Sequence, residues 1–305
     1  VLYGCGSAQG EEMSLEEIKE NQKGYTTGAS VHDPSILKAD NTYYIFGSHM
    51  DAAKSDDLVK WSMFASGVDE NNKLFANLFE EPMEAFSFVG KNDAGGYSVW
   101  APDVVFNEKM GKYVMYFSTS STYKKSTICF ATADEPDGPY TFQDVLIHSG
   151  FTNQNWDTIN FQEINPDGKI TDYLTAGDYD NLQWPNCIDP TVFYDAEGKM
   201  WMTYGSWSGG IFILEIDEET GYPIHPEADP ENGVDTYYGK RLLGGGHNSI
   251  EGPYIMYDET SKYYYLFVSY GELQARGGYQ MRVFRSQNPD GPYTDTAGQE
   301  LGMVV

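Results

Sequence analysis

Four carboxylic acids stand at or near a proline where an apolar run begins in this 305-residue sequence. They are Asp33, Asp103, Asp189 and Glu251, in the contexts HDPSI, APDVV, IDPTV and EGPYI. A single aspartate before a proline is usually a turn residue, because its side chain hydrogen-bonds nearby backbone. Four acids in similar contexts are harder to explain as turns alone.

Two chemistries need carboxylates that are gathered in this way. Hydrolysis of a glycosidic bond uses one carboxylic acid that protonates the leaving oxygen and one carboxylate that activates water or attacks carbon. A third carboxylate nearby raises the pKa of the acid, because like charges repel. A cation site with oxygen ligands is the other use of such a cluster.

Signatures of several other enzyme classes are absent from the sequence. It contains no GxSxG elbow, no phosphate-binding loop, no HExxH and no pair of CxxC motifs. The five histidines show no metal-ligand spacing. The formal net charge is −27, which argues against binding to nucleic acid or to an anionic membrane surface. No apolar run reaches transmembrane length.

The elements that must position the acids form a repeat that occurs four times. Each copy runs from the acid through an apolar strand, a polar turn and an aromatic strand that ends at a serine. These serines are Ser48, Ser118, Ser206 and Ser269. The motif DGPYT also recurs at equivalent places in two copies, residues 137–141 and 290–294. Short runs rich in Tyr, Phe, Val and Ile, separated by polar turns, predict antiparallel strands.

Small antiparallel sheets repeated along a chain predict an all-β fold and favour a β-propeller, in which the acids would converge near the axis. A β-sandwich is the alternative, but it does not explain the shared acid–proline turn. We predict an N-terminal extension over residues 1–24, with a short helix and a Ser14–Glu17 capping box, and a propeller domain over residues 25–305. Two long insertions, Ser62–Ser98 and Ser149–Asn186, are expected to border a cleft.

Five motifs carry a resemblance to a known family. In chain order they are VHDPSI, WAPDV, NCIDPTVF, YGSWSGGIFILEID and GHNSIEGPYI. Together they resemble glycoside hydrolase family 43, and most closely its endo-acting α-1,5-L-arabinanases, from about Gly24 to the end of the sequence. The resemblance implies a five-bladed β-propeller, of which this chain encodes about four blades. The fifth blade is then expected to be missing or to come from a second polypeptide.

The resemblance also implies an inverting mechanism with three acidic roles. Asp33 would be the general base that activates water, and Glu251 the general acid that protonates the leaving sugar. Asp189 would raise the pKa of Glu251 and orient it. Asp103 is expected to be a structural or supporting acid rather than a catalytic one.

Further site residues follow from the same resemblance. Trp100 would form a wall of the sugar pocket, and Asn186, Ser206 and His247 would contact the sugar. A calcium ion, or another cation, is implied in the central channel, with ligands that the sequence does not identify.

Several alternatives remain at the level of sequence. The same scaffold could carry an exo-acting α-L-arabinofuranosidase, a β-xylosidase or a non-catalytic carbohydrate-binding propeller, although the last is disfavoured because all three acids are present. A polymeric arabinan substrate implies an extracellular or cell-surface protein. Cys5 in VLYGCGS resembles the end of a lipoprotein signal, with an ordinary strand as the alternative reading.

Overall fold

Four antiparallel sheets follow one another along the chain in the computed structural model, which describes residues 14, 16, 17, 20 and 28–300. Sheet 1 contains β1 (Ser35–Ala39), β2 (Thr42–Gly47), β3 (Asp51–Ser55) and β4 (Ser62–Ala65). Sheet 2 contains β5 (Ser98–Asn107), β6 (Lys112–Ser120), β7 (Ser126–Ala133) and β8 (Thr141–Ser149). Both sheets run in simple sequence order, as expected when successive strands are joined by short turns.

The next two sheets keep the same pattern with additions. A short pair, β9 (Leu174–Thr175) and β10 (Asp178–Tyr179), precedes them. Sheet 3 contains β11 (Thr191–Tyr194), β12 (Met200–Tyr204), β13 (Ile211–Ile216), β14 (Pro223–Ile224), β15 (Val234–Asp235) and β16 (Gly239–Leu243). Sheet 4 contains β17 (Ile250–Asp258), β18 (Tyr263–Tyr270) and β19 (Gln280–Ser286).

Helices are few and short in the described part of the chain. The α-helices with complete bounds are α1 (Glu84–Ser87) and α2 (Phe161–Ile164). Single turns of 3-10 helix occur at Ser48–Met50, Trp156–Thr158, Ile170–Tyr173 and Pro230–Asn232. None of the helices among these residues is long and apolar enough to cross a membrane.

The first strands of consecutive sheets lie side by side, so that β1 contacts β5, β5 contacts β11 and β11 contacts β17. Hydrogen bonds join them directly. The Ala101 N–H donates to Ser48 Oγ at 3.0 Å, and the Thr191 hydroxyl donates to the Pro253 carbonyl at 2.8 Å. Each sheet is therefore one blade with its first strand innermost. The predicted all-β propeller with four blades in this chain is confirmed, and the β-sandwich alternative is wrong.

The buried apolar side chains of residues 28–300 lie between adjacent blades. One cluster joins sheets 1 and 2, a second joins sheets 2 and 3, and a third joins sheets 3 and 4. Their central members include Phe46 and Phe117, then Tyr116 and Tyr204, then Leu266. Each blade is thus stabilised mainly by apolar area buried against its neighbours.

The two long insertions are packed parts of these clusters. Helix α1 buries Phe86 in the first cluster, and α2 buries Phe161 in the second. Trp156 and Trp184 are half-buried and pack against the second cluster. The insertions thus help to fill the spaces between blades, and their predicted position at the border of a cleft stays a prediction.

The short sequence signals have structural counterparts. The Glu17 N–H donates to Ser14 Oγ at 3.2 Å, and the Ser14 N–H donates to the Glu17 carboxylate at 2.8 Å, as in a capping box. In the two DGPYT motifs, Tyr140 and Tyr293 each donate a hydrogen bond to the carbonyl of the proline four residues earlier. The rest of the predicted extension, including Cys5, lies outside the described residues.

Candidate active site

A left-handed residue before a proline lies at or near the start of the inner strand of every blade. It is Asp33 (φ 50°), Ala101 (φ 36°), Asp189 (φ 56°) and Gly252 (φ 60°) in sheets 1 to 4. Non-glycine residues adopt this conformation at a cost of about 1–3 kcal/mol, so surrounding contacts must hold it. The turn therefore points the side chain of the pre-proline residue away from the path of the following strand.

The predicted equivalence of the four acids is wrong in register. Glu251 pairs with Ser269 across sheet 4, as Trp100 pairs with Ser118 across sheet 2. Glu251 thus occupies the position of Trp100, one residue before the left-handed residue, whereas Asp103 lies two residues after it. Only Asp33 and Asp189 are strictly equivalent. Proximity of each acid to a proline concealed these offsets in the sequence.

Asp33 is an exposed carboxylate with two polar neighbours. The Ser48 hydroxyl donates to Oδ2 at 2.6 Å, and His32 Nε2 lies 3.3 Å from Oδ1. Ser48 also accepts the Ala101 N–H, so one buried hydroxyl ties Asp33 to the next blade. The carboxylate is held in one orientation while its side chain, 41% exposed, remains open to water.

Glu251 accepts a hydrogen bond on each carboxylate oxygen. The Ser206 hydroxyl donates to Oε2 at 2.8 Å, and the Tyr279 hydroxyl donates to Oε1 at 2.8 Å. Ser206 lies just after the second strand of sheet 3, and Tyr279 precedes the last strand of sheet 4. The carboxylate is therefore oriented from two blades.

Asp189 couples the two other acids electrostatically. Its pKa is raised well above the usual value, first by burial of the carboxyl group and then by the negative charges of Glu251 and Asp33. The Gly252 N–H donates to Oδ2 at 3.2 Å and opposes the shift. Glu251 and Asp33 thus both lie close enough to Asp189 to raise its pKa, although the three acids come from three different blades.

Asp103 lies apart from these acids and binds backbone. It is 8% exposed, and its oxygens accept the N–H groups of Val104 at 3.1 Å and Val192 at 2.8 Å. Burial raises its pKa to about 6, and these hydrogen bonds oppose the rise. It connects sheets 2 and 3, which supports the predicted structural role.

Trp100 stands on the side of the site that holds Asp33. Its indole N–H donates to Ser120 Oγ at 2.8 Å, and its ring meets the edge of His49 with centroids 4.8 Å apart. His49 in turn stacks near His32, the neighbour of Asp33. A half-buried indole fixed in this way is suited to contact an apolar sugar face.

The other predicted sugar contacts have protein partners of their own. Asn186 is 4% exposed and accepts the Ser126 hydroxyl at 2.7 Å. His247 is half-buried, lies 5.3 Å from the Trp207 ring centroid, and accepts the Ser208 N–H on Nδ1 at 3.3 Å. Ser206 uses its proton on Glu251, so a contact with sugar stays a prediction.

Sequence reasoning missed two groups that touch the acids. Ser48 was recognisable as the repeat partner of Ser206, since both follow the second strand of a blade. Tyr279 carries no repeat signal, because the residues just before the third strand of the other blades are Met50, Lys125 and Gly210. Only the folded structure brings its hydroxyl to Glu251.

The described residues do not fit the implied calcium site. Among residues 14, 16, 17, 20 and 28–300, no three His, Cys, Asp or Glu side chains are grouped closely enough to hold a metal ion. Three of the predicted acids are near one another, but both oxygens of Glu251 are already engaged by hydroxyl groups. No reaction step is therefore assigned to a cation.

The sequence model for glycosyl hydrolases family 43 matches residues 27–169 and 161–302, a span that contains all three acids. The chain belongs to this family.

Relatives of the family 43 chain include the extracellular endo-α-(1→5)-L-arabinanase of Thermotoga petrophila, 43% identical over 90% of this chain and 52% of the relative. The extracellular endo-α-(1→5)-L-arabinanase 2 of Bacillus subtilis is 40% identical over 92% of this chain and 53% of the relative. Among solved structures, the endo-1,5-α-L-arabinanase of Thermotoga petrophila superposes with a TM-score of 0.75 at 40% identity, covering 92% of this chain and 57% of that one.

The family 43 chain spans about half the length of the curated relatives it matches. Each of those relatives is a single longer chain, and none of these comparisons supports the predicted second polypeptide.

Proposed function

We propose that this chain hydrolyses α-1,5-L-arabinofuranosidic bonds in arabinan by an endo-acting, inverting mechanism. The observation that carries the proposal is the convergence of Asp33, Asp189 and Glu251 from three blades, in a chain 43% identical to an endo-arabinanase. An exo-acting α-L-arabinofuranosidase of Cellvibrio japonicus is 25% identical, so the endo reading is the better supported of the two.

Asp33 is suited to act as the general base. It is exposed, and Ser48 and His32 fix its orientation while leaving room for water. An inverting enzyme activates water on the face of the sugar opposite the leaving group, and its carboxyl groups stand roughly 6.5–9.5 Å apart. The resulting attack inverts the configuration at the anomeric carbon.

Glu251 is suited to act as the general acid. Ser206 and Tyr279 orient its carboxyl group toward a substrate, and protonation of the leaving oxygen avoids the release of an alkoxide. Asp189 lies behind it with a raised pKa. Asp189 therefore retains its proton at a pH where an isolated aspartate has lost it, because burial and the two nearby negative charges disfavour its ionised form.

The natural setting of the activity follows from the substrate. Arabinan is a polymer, and the relatives from Thermotoga petrophila and Bacillus subtilis described above are named extracellular. We infer that this chain acts outside the cytoplasm as well.

Digestion of linear arabinan beside xylan tests the proposal. Arabino-oligosaccharides of several lengths at early time are expected from arabinan, with no products from xylan. Release of one short product from the start would favour the exo-acting arabinofuranosidase, and cleavage of xylan would favour a β-xylosidase. Binding of arabinan without cleavage would favour the non-catalytic propeller. A parallel digestion with chelator tests the predicted calcium ion.

A further inference from the structure

The two oxygens of Glu251 differ in their access to a ligand. Oε2 accepts the hydroxyl of Ser206, a residue that is 5% exposed and lies within the blades. Oε1 accepts the hydroxyl of Tyr279, which is 40% exposed. The Oε1 side of Glu251, next to Tyr279, is therefore the more exposed of the two.

The Tyr279 hydroxyl can serve both protonation states of Glu251. A phenol has one proton to donate and lone pairs that accept, so it can donate to the carboxylate and accept from the carboxylic acid. Burial raises the pKa of Tyr279 to about 12, with the nearby negative charges of Glu251 and Asp189 contributing, so the phenol keeps its proton at neutral pH. The Tyr279 hydroxyl thus lies beside Oε1, the oxygen of Glu251 that would carry the proton for the leaving group.

The loop between β18 and β19 places Tyr279 with little freedom. The Glu272 N–H donates to the Gly277 carbonyl at 3.1 Å, which closes the loop on itself. A Cβ atom at position 277 would lie 2.2 Å from the Glu272 carbonyl oxygen, so only glycine fits there. Gly278 follows with φ of 67°, and this glycine pair directs the chain so that Tyr279 faces Glu251.

The general base lies on the other side of the site. Asp33 has His32 beside it and Trp100 nearby through His49, all in sheets 1 and 2. Inversion requires water and leaving group on opposite faces of the sugar. The leaving sugar therefore belongs on the sheet 4 side, where the β18–β19 loop exposes 64% of Leu273.

We propose that Tyr279 is a positioning residue that aims Oε1 of Glu251 at the glycosidic oxygen, and that the β18–β19 loop forms the wall of the subsite for the leaving arabinosyl unit. The proposal rests on the proposed function, because it assigns the leaving-group side of that same reaction.

The test compares Tyr279→Phe with Tyr265→Phe on two substrates. Tyr265 lies in the same sheet, and its hydroxyl bonds Ser261 at 3.2 Å near the far end of the hairpin, which makes it a matched control. Linear arabinan has a leaving group that needs a proton, whereas a 4-nitrophenyl arabino-oligoside does not. Tyr279→Phe is expected to lower kcat on arabinan about tenfold, a part of the roughly 10²–10⁴-fold that general acid catalysis contributes, and to leave kcat on the aryl substrate nearly unchanged. Tyr265→Phe should match wild type on both.

A second variant tests the wall of the subsite without touching Glu251. Leu273→Ala removes an exposed side chain, so it should fold normally. Leu273→Ala is expected to raise KM for arabinan severalfold with kcat unchanged. This pattern results when the lost contact binds the substrate and the transition state equally well.

The outcomes separate the inference from the proposed function. Equal fractional losses of Tyr279→Phe on both substrates, or no loss on either, would overturn the positioning role, and an unchanged KM for Leu273→Ala would overturn the subsite. A wild-type protein that cleaves neither substrate would overturn the proposed function and the inference together.

Discussion

At the scale of single residues, the site depends on hydroxyl groups as much as on carboxylates. Ser48 bonds Asp33, whereas Ser206 and Tyr279 bond Glu251. Hydrogen bonds to ionised groups are about twice as strong as those between neutral groups, and they hold the acceptor in one orientation. The acids are therefore fixed before any substrate arrives, which is the arrangement that favours fast reaction of a bound substrate.

Alanine variants of the proposed general acid and of the proposed general base should differ in the substrates that they still cleave. Glu251→Ala is expected to lose activity on arabinan by at least 100-fold, since proton donation contributes about 10²–10⁴-fold. It should keep part of its activity on an aryl glycoside, whose leaving group departs without a proton. Asp33→Ala should be inactive on both, because no group activates water. Initial rates on the two substrates provide the measurement, and identical profiles for the two variants would contradict the assigned roles.

The raised pKa of Asp103 should make the free energy of unfolding depend on pH. Its folded pKa of about 6 exceeds the usual 3.8, so the folded state binds more protons than the unfolded state between these values. The contribution of Asp103 to stability is thus greatest below 3.8 and declines as the pH rises through about 6, by on the order of 3 kcal/mol. Asp103→Asn does not titrate, so it should lack this decline.

Urea unfolding of wild type and Asp103→Asn at about pH 4, 5 and 7 provides the measurement. The difference between the two free energies of unfolding should change in favour of the variant as the pH rises. A constant difference across this range would show that the carboxyl group of Asp103 does not titrate as assigned. All other acids are common to both proteins and cancel.

At the scale of elements, the insertion between β8 and β11 acts as filling between sheets 2 and 3. Phe161 of α2 is fully buried, with ring centroids 4.9 Å from Tyr173 and 5.1 Å from Tyr237. The Tyr173 hydroxyl also donates to Asp235 at 2.5 Å, which connects the insertion to β15 of sheet 3. The segment that leads to Asn186 and Asp189 is therefore anchored by aromatic packing and by buried hydroxyl groups.

Phe161→Ala should destabilise the protein by about 3–5 kcal/mol, the usual cost of removing a fully buried phenylalanine. Phe106→Ala is a suitable control, because Phe106 is 44% exposed on sheet 2. Urea unfolding of both variants against wild type gives the measurement. A loss below about 1 kcal/mol for Phe161→Ala would mean that the insertion is not part of the cooperative core.

The repeat predicted the elements better than their register. Strand order, the aromatic second strands and the serines at their ends were all readable from composition and spacing. The offset in register between Asp33 and Glu251 could not be predicted from the sequence. A proline marks the turn, but it does not show which neighbouring residue adopts the left-handed conformation. Tyr279 was also beyond sequence reasoning, since no other repeat has a tyrosine at the matching position before its third strand.

At the scale of the whole molecule, four blades are joined by three interfaces between neighbours, and the inner strands meet in chain order. Composition and repeats were enough to predict this arrangement, because each blade is a local hairpin unit. The packing of the insertions could not be predicted. The faces of the blades that a given loop covers depend on tertiary contacts, which the local sequence does not specify.

The origin of the three acids in sheets 1, 3 and 4 has a consequence for biosynthesis. Asp33 is among the first residues of the propeller to leave the ribosome, whereas Glu251 emerges only when sheet 4 begins. Early blades can form their hairpins as they emerge, because their contacts are local, but contacts between distant segments form late. A nascent chain that has not yet extruded β17 can therefore hold folded blades before the proposed general acid, Glu251, has emerged.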